Sequence, residues 1–390
     1  MDTRLISPSD VEQVVRVIGR HELMDRVITR LAQGLAELGR EKRETSPTRG
    51  GFDRDYPTPG VLEWMPHHVP GDSITIKTVA YSPVNPQRYG LPTILSNLAR
   101  YDCATGRLVA MADGVVLTAV RTGAASAVAS RLLAPPDSAV VGVIGAGAQA
   151  VTQVHALSRV FPVERVLVWD VDPRHAASMA GRTAFLGLPT EVARPEVILA
   201  RADVISTVTS VAVGGAPVLP HGAHRPHLHV NAVGSDLVGK TELPRSLVLE
   251  AFVTPDHPEQ AHREGECQQL AGDPARNRVI GPSLGELCAE PELALAVRDR
   301  LTVFDSTGFA LEDHLALDVL LEAADEVGVG SRVQVEYHPV DTLDPYSAPV
   351  RGPGPAGRPR VPAARGVPVA RAAGRPSPSG RETTPSPEEL

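Results

Sequence analysis

Residues 140–150 read Val-Val-Gly-Val-Ile-Gly-Ala-Gly-Ala-Gln-Ala, a β-branched run that stops abruptly at glycines. A small-residue helical pattern follows through Ala150, Val151, Val154 and Leu157. Gly145, Gly147 and Ala150 fit the G-x-G-x-x-G/A turn between a strand and a helix. Such a turn lets backbone approach a pyrophosphate and aims a helix N-terminus at it. A bare glycine motif says little, but here the flanks agree. Residues 165–169 predict the next strand, and Asp170 stands at its end. An acid there accepts hydrogen bonds from an adenosine ribose, which favours NAD over NADP.

Length and composition bound the rest. A chain of 390 residues holds two domains, or one large domain and a tail, and 42% apolar residues are ample for a core. No apolar run approaches the ~18 residues of a membrane span. The start, Met1-Asp2-Thr3-Arg4, lacks the apolar stretch of a signal peptide. Cys103, Cys267 and Cys288 are far apart, which fits the reducing cytoplasm. A formal charge of −8 argues against nucleic acid or an anionic membrane as partner and leaves small molecules.

Along the chain, Ser7-Pro8-Ser9-Asp10 has the cap, the N1 proline and the first-turn acid of a helix start. Residues 23–38 predict a second amphipathic helix. Short strands follow at 61–65, 73–80, 93–102 and 108–113, punctuated by Pro66, Pro70, Pro83 and Pro86, with a hairpin turn at Ala104-Thr105-Gly106. An antiparallel sheet beside helices is the simplest reading. A helix then runs from about Leu117 to Ala134. Beyond the glycine turn, strand and helix signals alternate at 165–169, 174–186, 204–208, 228–233, 247–253 and 301–305, the pattern of a doubly wound parallel sheet. Residues 311–327 form a long apolar-periodic helix outside that alternation. The expected fold is therefore α/β, a Rossmann-type parallel sheet (126–309) inserted into an α+β substrate and dimerisation domain (1–125 and 310–347). Residues 348–390 carry seven arginines against three glutamates among Pro, Gly and Ser, and read as a disordered tail.

Several polar residues stand where apolar elements end. Lys77 interrupts Ile74-Thr75-Ile76-Lys77-Thr78-Val79; it is either an edge-strand lysine with its head in water or a buried cation. Arg121, among small residues of a helix, suits a structural salt bridge or a bound carboxylate. Asp236 follows a strand ending near Val233, at the edge where open α/β sheets bind ligands; a helix N-cap is the competing role. Lys240 could meet a phosphate or pair with a carboxylate, and Ser306-Thr307-Gly308 adds hydroxyls to the same edge. The histidines at 221, 224, 227 and 229 lack the spacing of a metal site, so no metal is expected. His67-His68 reads as a surface turn.

Together, Lys77, the 117–125 segment with Arg121, the glycine turn and the 231–240 segment with Asp236 resemble the ornithine cyclodeaminase/μ-crystallin family over about residues 5–345. Residues 77–83, 265–270 and 343–346 resemble most the members that cyclise L-lysine. The resemblance implies a homodimer of Rossmann and substrate domains that uses NAD as a recycled cofactor. It implies Arg49, Lys77 and Arg121 on the substrate carboxylate, Glu63 lining the side-chain pocket, and Asp236 as acid/base with Lys77 also at the reacting end. Thr93, Gly145, Gly147, Ala148, Gln149, Asp170, Thr207, Val233, Ser235, Lys240 and Ser306 would hold the cofactor. The implied reaction oxidises the lysine Cα to an imine, closes the ring through the ε-amine with loss of ammonia, and reduces the cyclic imine to L-pipecolate. Ornithine cyclisation, a ketimine reductase or amino-acid dehydrogenase, and a μ-crystallin-like binding protein are the alternatives.

Overall fold

The computed structural model describes residues 2–41 and 46–347. Contacts gather the described residues up to Tyr337 into one compact unit and those from His338 to Ser347 into a second. The tail expected from residue 348 lies outside the described residues.

Two seven-stranded sheets organise the first unit. One contains β1 (Thr3–Ile6), β2 (Gly50–Arg54), β3 (Gly60–Val69), β4 (Ser73–Tyr81), β5 (Ile94–Asp102), β6 (Leu108–Asp113) and, from the far end of the chain, β14 (Ser331–Val333). The other contains β7 (Val140–Ile144), β8 (Arg165–Trp169), β9 (Thr190–Val192), β10 (Val204–Thr207), β11 (His229–Ala232), β12 (Phe252–Pro255) and β13 (Thr302–Asp305). Its order is β12-β13-β11-β10-β7-β8-β9, and every neighbouring pair is parallel. From β7 the chain winds outward through β8, then returns to the other side at β10. The carboxyl ends of β7 and β10 therefore flank a crevice, the place where such sheets take ligands. In chain order this α/β sheet is inserted between β6 and β14 of the first.

The strands form for different reasons in the two sheets. β7 is a continuous apolar run because helices cover both faces of a parallel sheet. β4 alternates instead, and the register with β3 sets Val61, Glu63, Met65, Lys77 and Val79 on one face. That face meets the long helix Ala310–Val327, which also packs on α1 (Pro8–Ile18), α2 (Arg20–Glu41) and α4 (Val115–Leu133). A short helix, α3 (Asn85–Tyr89), follows β4. From Val120 to Ser130 α4 is buried on all sides, so this stretch has no polar stripe, and its small residues allow α5 (Ala148–Val160) to come close. A Cβ on Gly123 would lie 2.5 Å from the Thr152 carbonyl of α5. α2 contributes Leu23, Val27, Leu31 and Leu35 to the same core, and Leu31→Ala there would cost about 2–5 kcal/mol.

α1 starts as its sequence predicts: Ser7 Oγ accepts the Asp10 N–H, and the Asp10 carboxylate accepts the Ser7 N–H. Other expectations are corrected. β3 continues through Pro66 to Val69, so Pro66 does not end a strand. His67 is consequently buried, bonded to Ser46 Oγ at 2.7 Å, rather than placed in a surface turn. The first sheet is not wholly antiparallel, because β1 pairs parallel with β6. Residues 247–253 are not one element; a helix Arg245–Glu250 ends and β12 begins. No described helix is long and apolar enough to cross a membrane.

Candidate active site

The glycine turn closes β7 by local hydrogen bonds. Gly145 N–H donates to the Trp169 carbonyl at 2.8 Å, and its φ of +95° with a Cβ position 2.8 Å from the Val208 carbonyl requires glycine. Asp170 Oδ2 accepts the Ala146 N–H at 2.6 Å, while Arg182 donates to the carbonyls of Ala146 and Gly147 at 2.6 and 3.1 Å. Gly147 is the N-cap of α5 and has no side-chain cap; a Cβ added there would meet nothing within 4 Å. Gly147 and Ala148 are exposed, so the first turn of α5 is open to solvent, an arrangement suited to a pyrophosphate.

Beside it lies a cavity of about 130 Å³, walled by β3 and β4, by α4, and by the segments after β11 and β13. Arg49, Lys77 and Arg121 line it with Glu63 and Asp236, and Gln149, Val233 and Ser306 join from the sheet edge. Thr93, at the head of β5, is not in this wall, although its neighbour Ile94 is. Gly145, Gly147, Ala148, Asp170 and Thr207 lie along the ends of β7, β8 and β10, outside the wall.

The cations are held from behind. Lys77 sits on a central strand between β3 and β5, 1% exposed, which removes the edge-strand reading. Its Nζ donates to the Asp313 carboxylate at 3.0 and 3.2 Å. Arg121 Nε donates to the same Asp313 at 3.0 Å and its Nη1 to Glu312. Arg49 pairs with Glu264 at 2.9 Å, reaches Glu63 at 3.5 Å, and donates to the carbonyls of Thr307 and Gly308. Gly308 has φ +73°, and a Cβ there would lie 2.5 Å from the Arg121 guanidinium. Burial, then the charges of Arg121 and Arg49, push Lys77 down to about 8 against the pull of Asp313. Burial pushes Glu312 up to about 8, with Arg121 opposing. Both arginines stay above their ordinary value because their carboxylate neighbours outweigh the cost of burial. Glu63 is raised by burial, with Arg49 opposing.

Asp236 occupies a turn after β11 and caps no helix, so the N-cap alternative falls. Its carboxylate is 41% exposed and accepts from Lys240 Nζ at 2.8 Å. Ser235 Oγ donates to the Lys240 carbonyl at 2.6 Å, closing this turn. Beneath it runs a ladder of buried acids. Asp305 accepts the amides of Glu266 and Cys267, Glu266 accepts those of Glu242 and Leu243, and Glu242 accepts those of Thr209 and Gly234. The loops after β10 and β11 are tied together this way. The histidines of 221–229 diverge: His229 bonds Thr302 and Asn231, His227 bonds Asp203, His224 faces Glu250, and His221 meets Ser246.

A fixed cluster of cations beside two carboxylates, at the edge of a dinucleotide-type sheet, suits an amino acid held for redox chemistry at Cα. The ornithine cyclodeaminase/mu-crystallin family model matches residues 8–328. The chain belongs to this family. The L-lysine cyclodeaminase of Streptomyces rapamycinicus is 52% identical over 347 residues, 89% of this chain and 100% of that protein. A solved structure on recognition of L-lysine, L-ornithine and L-2,4-diaminobutyric acid by lysine cyclodeaminase has a TM-score of 0.86 and 62% identity, covering 89% and 99% of the two chains. An archaeal alanine dehydrogenase dimer with bound NAD has a TM-score of 0.75 at 28% identity, covering 86% and 100%.

Asp313, Glu312, Glu264 and the acid ladder escaped the reading of the sequence. The adjacent acids Glu312 and Asp313 at the head of the apolar-periodic 311–327 segment were the available signal; helical periodicity alone leaves such a pair on the solvent side.

Proposed function

We propose that this family member is an NAD-dependent ammonia-lyase that converts L-lysine to L-pipecolate and ammonia. The observation that carries the reading is the shared cavity wall of Arg49, Lys77, Arg121, Glu63 and Asp236 beside the glycine turn. The 52% identity to an L-lysine cyclodeaminase supports the substrate. Bound there, NAD would supply a reversible hydride acceptor at the substrate Cα, which would make the overall conversion free of net oxidation. The open backbone at Gly147 and Ala148, the carboxylate of Asp170, and Gln149, Thr207, Val233, Ser235, Lys240, Ser306 and Thr93 are the residues we assign to that cofactor.

Arg49, Lys77 and Arg121 bind the substrate carboxylate and so present Cα in one orientation. Glu63 receives the side-chain ammonium. A free lysine amine has a pKa near 10.4 and must lose its proton to attack, which Asp236 accepts and later returns to the departing ammonia. The exposed side of Asp236 lets that proton equilibrate with water, while Lys240 fixes its other oxygen.

The two sheets support the expected division up to Tyr337, with residues 1–125 and 310–337 as the substrate and dimerisation part and 126–309 as the nucleotide part. A homodimer is supported by the outward face of the first sheet, where Phe52, Leu62, Trp64 and Met111 are exposed. The free thiols of Cys103, Cys267 and Cys288 fit a cytoplasmic enzyme.

Incubation with L-lysine and NAD⁺ tests the reading: pipecolate and ammonia form without accumulation of NADH. Stoichiometric NADH makes the protein a dehydrogenase, and no product at all makes it a binding protein. L-Ornithine, shorter by one methylene, is the competitor to assay beside lysine, since that group is worth about 1–3 kcal/mol.

A further inference from the structure

Lys77 and Arg121 reach the cavity from β4 and α4, and one carboxylate outside the cavity wall touches both. Asp313 Oδ1 lies 3.0 Å from Lys77 Nζ and 3.0 Å from Arg121 Nε, so the two cations stand within twice that distance of each other. The Lys77 and Asp313 side chains are 1% and 2% exposed, and no solvent screens the repulsion between the cations. Asp313 is in the first turn of the Ala310–Val327 helix, where the helix dipole favours an anion, and that helix is braced on β3, β4 and α4. The carboxylate is therefore a fixed point between two elements that have no other shared counter-ion among the described residues.

We propose that Asp313 is a positioning residue that keeps Lys77 protonated and aimed, together with Arg121, at the carboxylate of the amino-acid substrate. This rests on the function proposed above. The charged groups that face the Lys77–Arg121 pair are Arg49 ahead of β2, Glu63 of β3 and Asp236 after β11 across the cavity, Asp256 after β12, and Glu312 and Asp313 on the C-terminal helix. Arg49 and Arg121 act to remove the Lys77 proton, and Glu312 contacts Arg121 rather than Lys77. Only Asp313 among them hydrogen-bonds Lys77. Without its charge, Lys77 loses its proton at lower pH and the substrate carboxylate meets a neutral amine.

The test uses the NAD-loaded protein and the variants Asp313→Asn and Asp313→Glu, with kcat and KM for L-lysine and calorimetric binding of L-pipecolate followed against pH. Asp313→Asn should raise KM about fivefold at pH 8, rising toward about tenfold at higher pH, as a one-unit shift of the alkaline limb toward acid from about 8 requires. KM should approach the wild-type value at pH 6, with kcat changed far less. Asp313→Glu should return the limb toward its wild-type position. A KM profile of Asp313→Asn that superimposes on wild type, or equal losses in kcat and KM at every pH, overturns the inference. If Asp313→Asn does not fold, L-pipecolate binding by wild type and Asp313→Glu decides: an alkaline limb supports the inference, and affinity flat from neutral to alkaline pH overturns it. Wild-type protein that neither turns over lysine nor binds L-pipecolate overturns the functional reading instead, so the two failures are distinct.

Discussion

The glycine turn and the cation cavity adjoin at one sheet edge, but they are assembled from different material. The turn is backbone: open amides at the start of α5, a glycine at φ +95°, and Asp170 and Arg182 gripping the main chain. The cavity is side-chain charge taken out of water, Lys77, Arg121 and Arg49 against Asp313, Glu312 and Glu264. Backbone donors have no protonation state to lose and cost little to bury once paired. Buried ion pairs are coupled, and removing one member leaves an uncompensated charge at about 3–5 kcal/mol. The first region should therefore fail through shape and the second through charge.

The largest effect separates them most cleanly. Asp236→Asn should lower kcat for lysine by about 10²–10⁴-fold, with NAD affinity by calorimetry little changed. Parallel loss of both would mean that the two regions act as one. Next, Gly145→Ala should cost about 1–3 kcal/mol of stability in thermal unfolding, because of its positive φ and the nearby Val208 carbonyl. Gly147→Ala should leave Tm unchanged yet weaken NAD, since its Cβ enters empty space. A Gly147→Ala protein with undiminished NAD affinity would move the pyrophosphate elsewhere.

A smaller effect comes from the buried acids. Burial raises Asp305 to about 7 and Glu312 to about 8. Between the ordinary and raised values the folded state holds more protons than the unfolded one, so stability falls as pH rises through that window. Buried His67, His155, His229 and His314 are pushed down to between about 3 and 4, and act in the opposite sense below about 6.5. Lys77, lowered to about 8, opposes only above that value. The urea midpoint should accordingly decline from pH 7 to 8, and Glu312→Gln should flatten the decline; an unchanged slope would remove Glu312 from it. Smallest of all, removing residues 350–390 should leave kcat/KM for lysine unaltered, because the family match ends at residue 328.

The same contrast explains what could be read in advance. β8 and β6 appear at their expected residues, and the glycine turn sits where its motif placed it. The 74–79 run left Lys77 as an edge-strand lysine or a buried cation, and the choice depended on β3 and β5 pairing with β4 on both sides. His67 was misplaced because Pro66 was read as a break, whereas β3 carries it within the strand. β2 and β14 are too short or too glycine-rich to announce themselves, and they exist through their partners.

By itself the sequence determined the parallel sheet, its ligand edge and the dinucleotide turn, because strand runs, glycine conformations and helix starts are local properties of a few neighbouring residues. Only the tertiary structure decided which acids stand behind which cations. Lys77, Arg121 and Asp313 are far apart in the chain, and their pairing follows from burial, where a charge persists only if packing delivers its counter-ion.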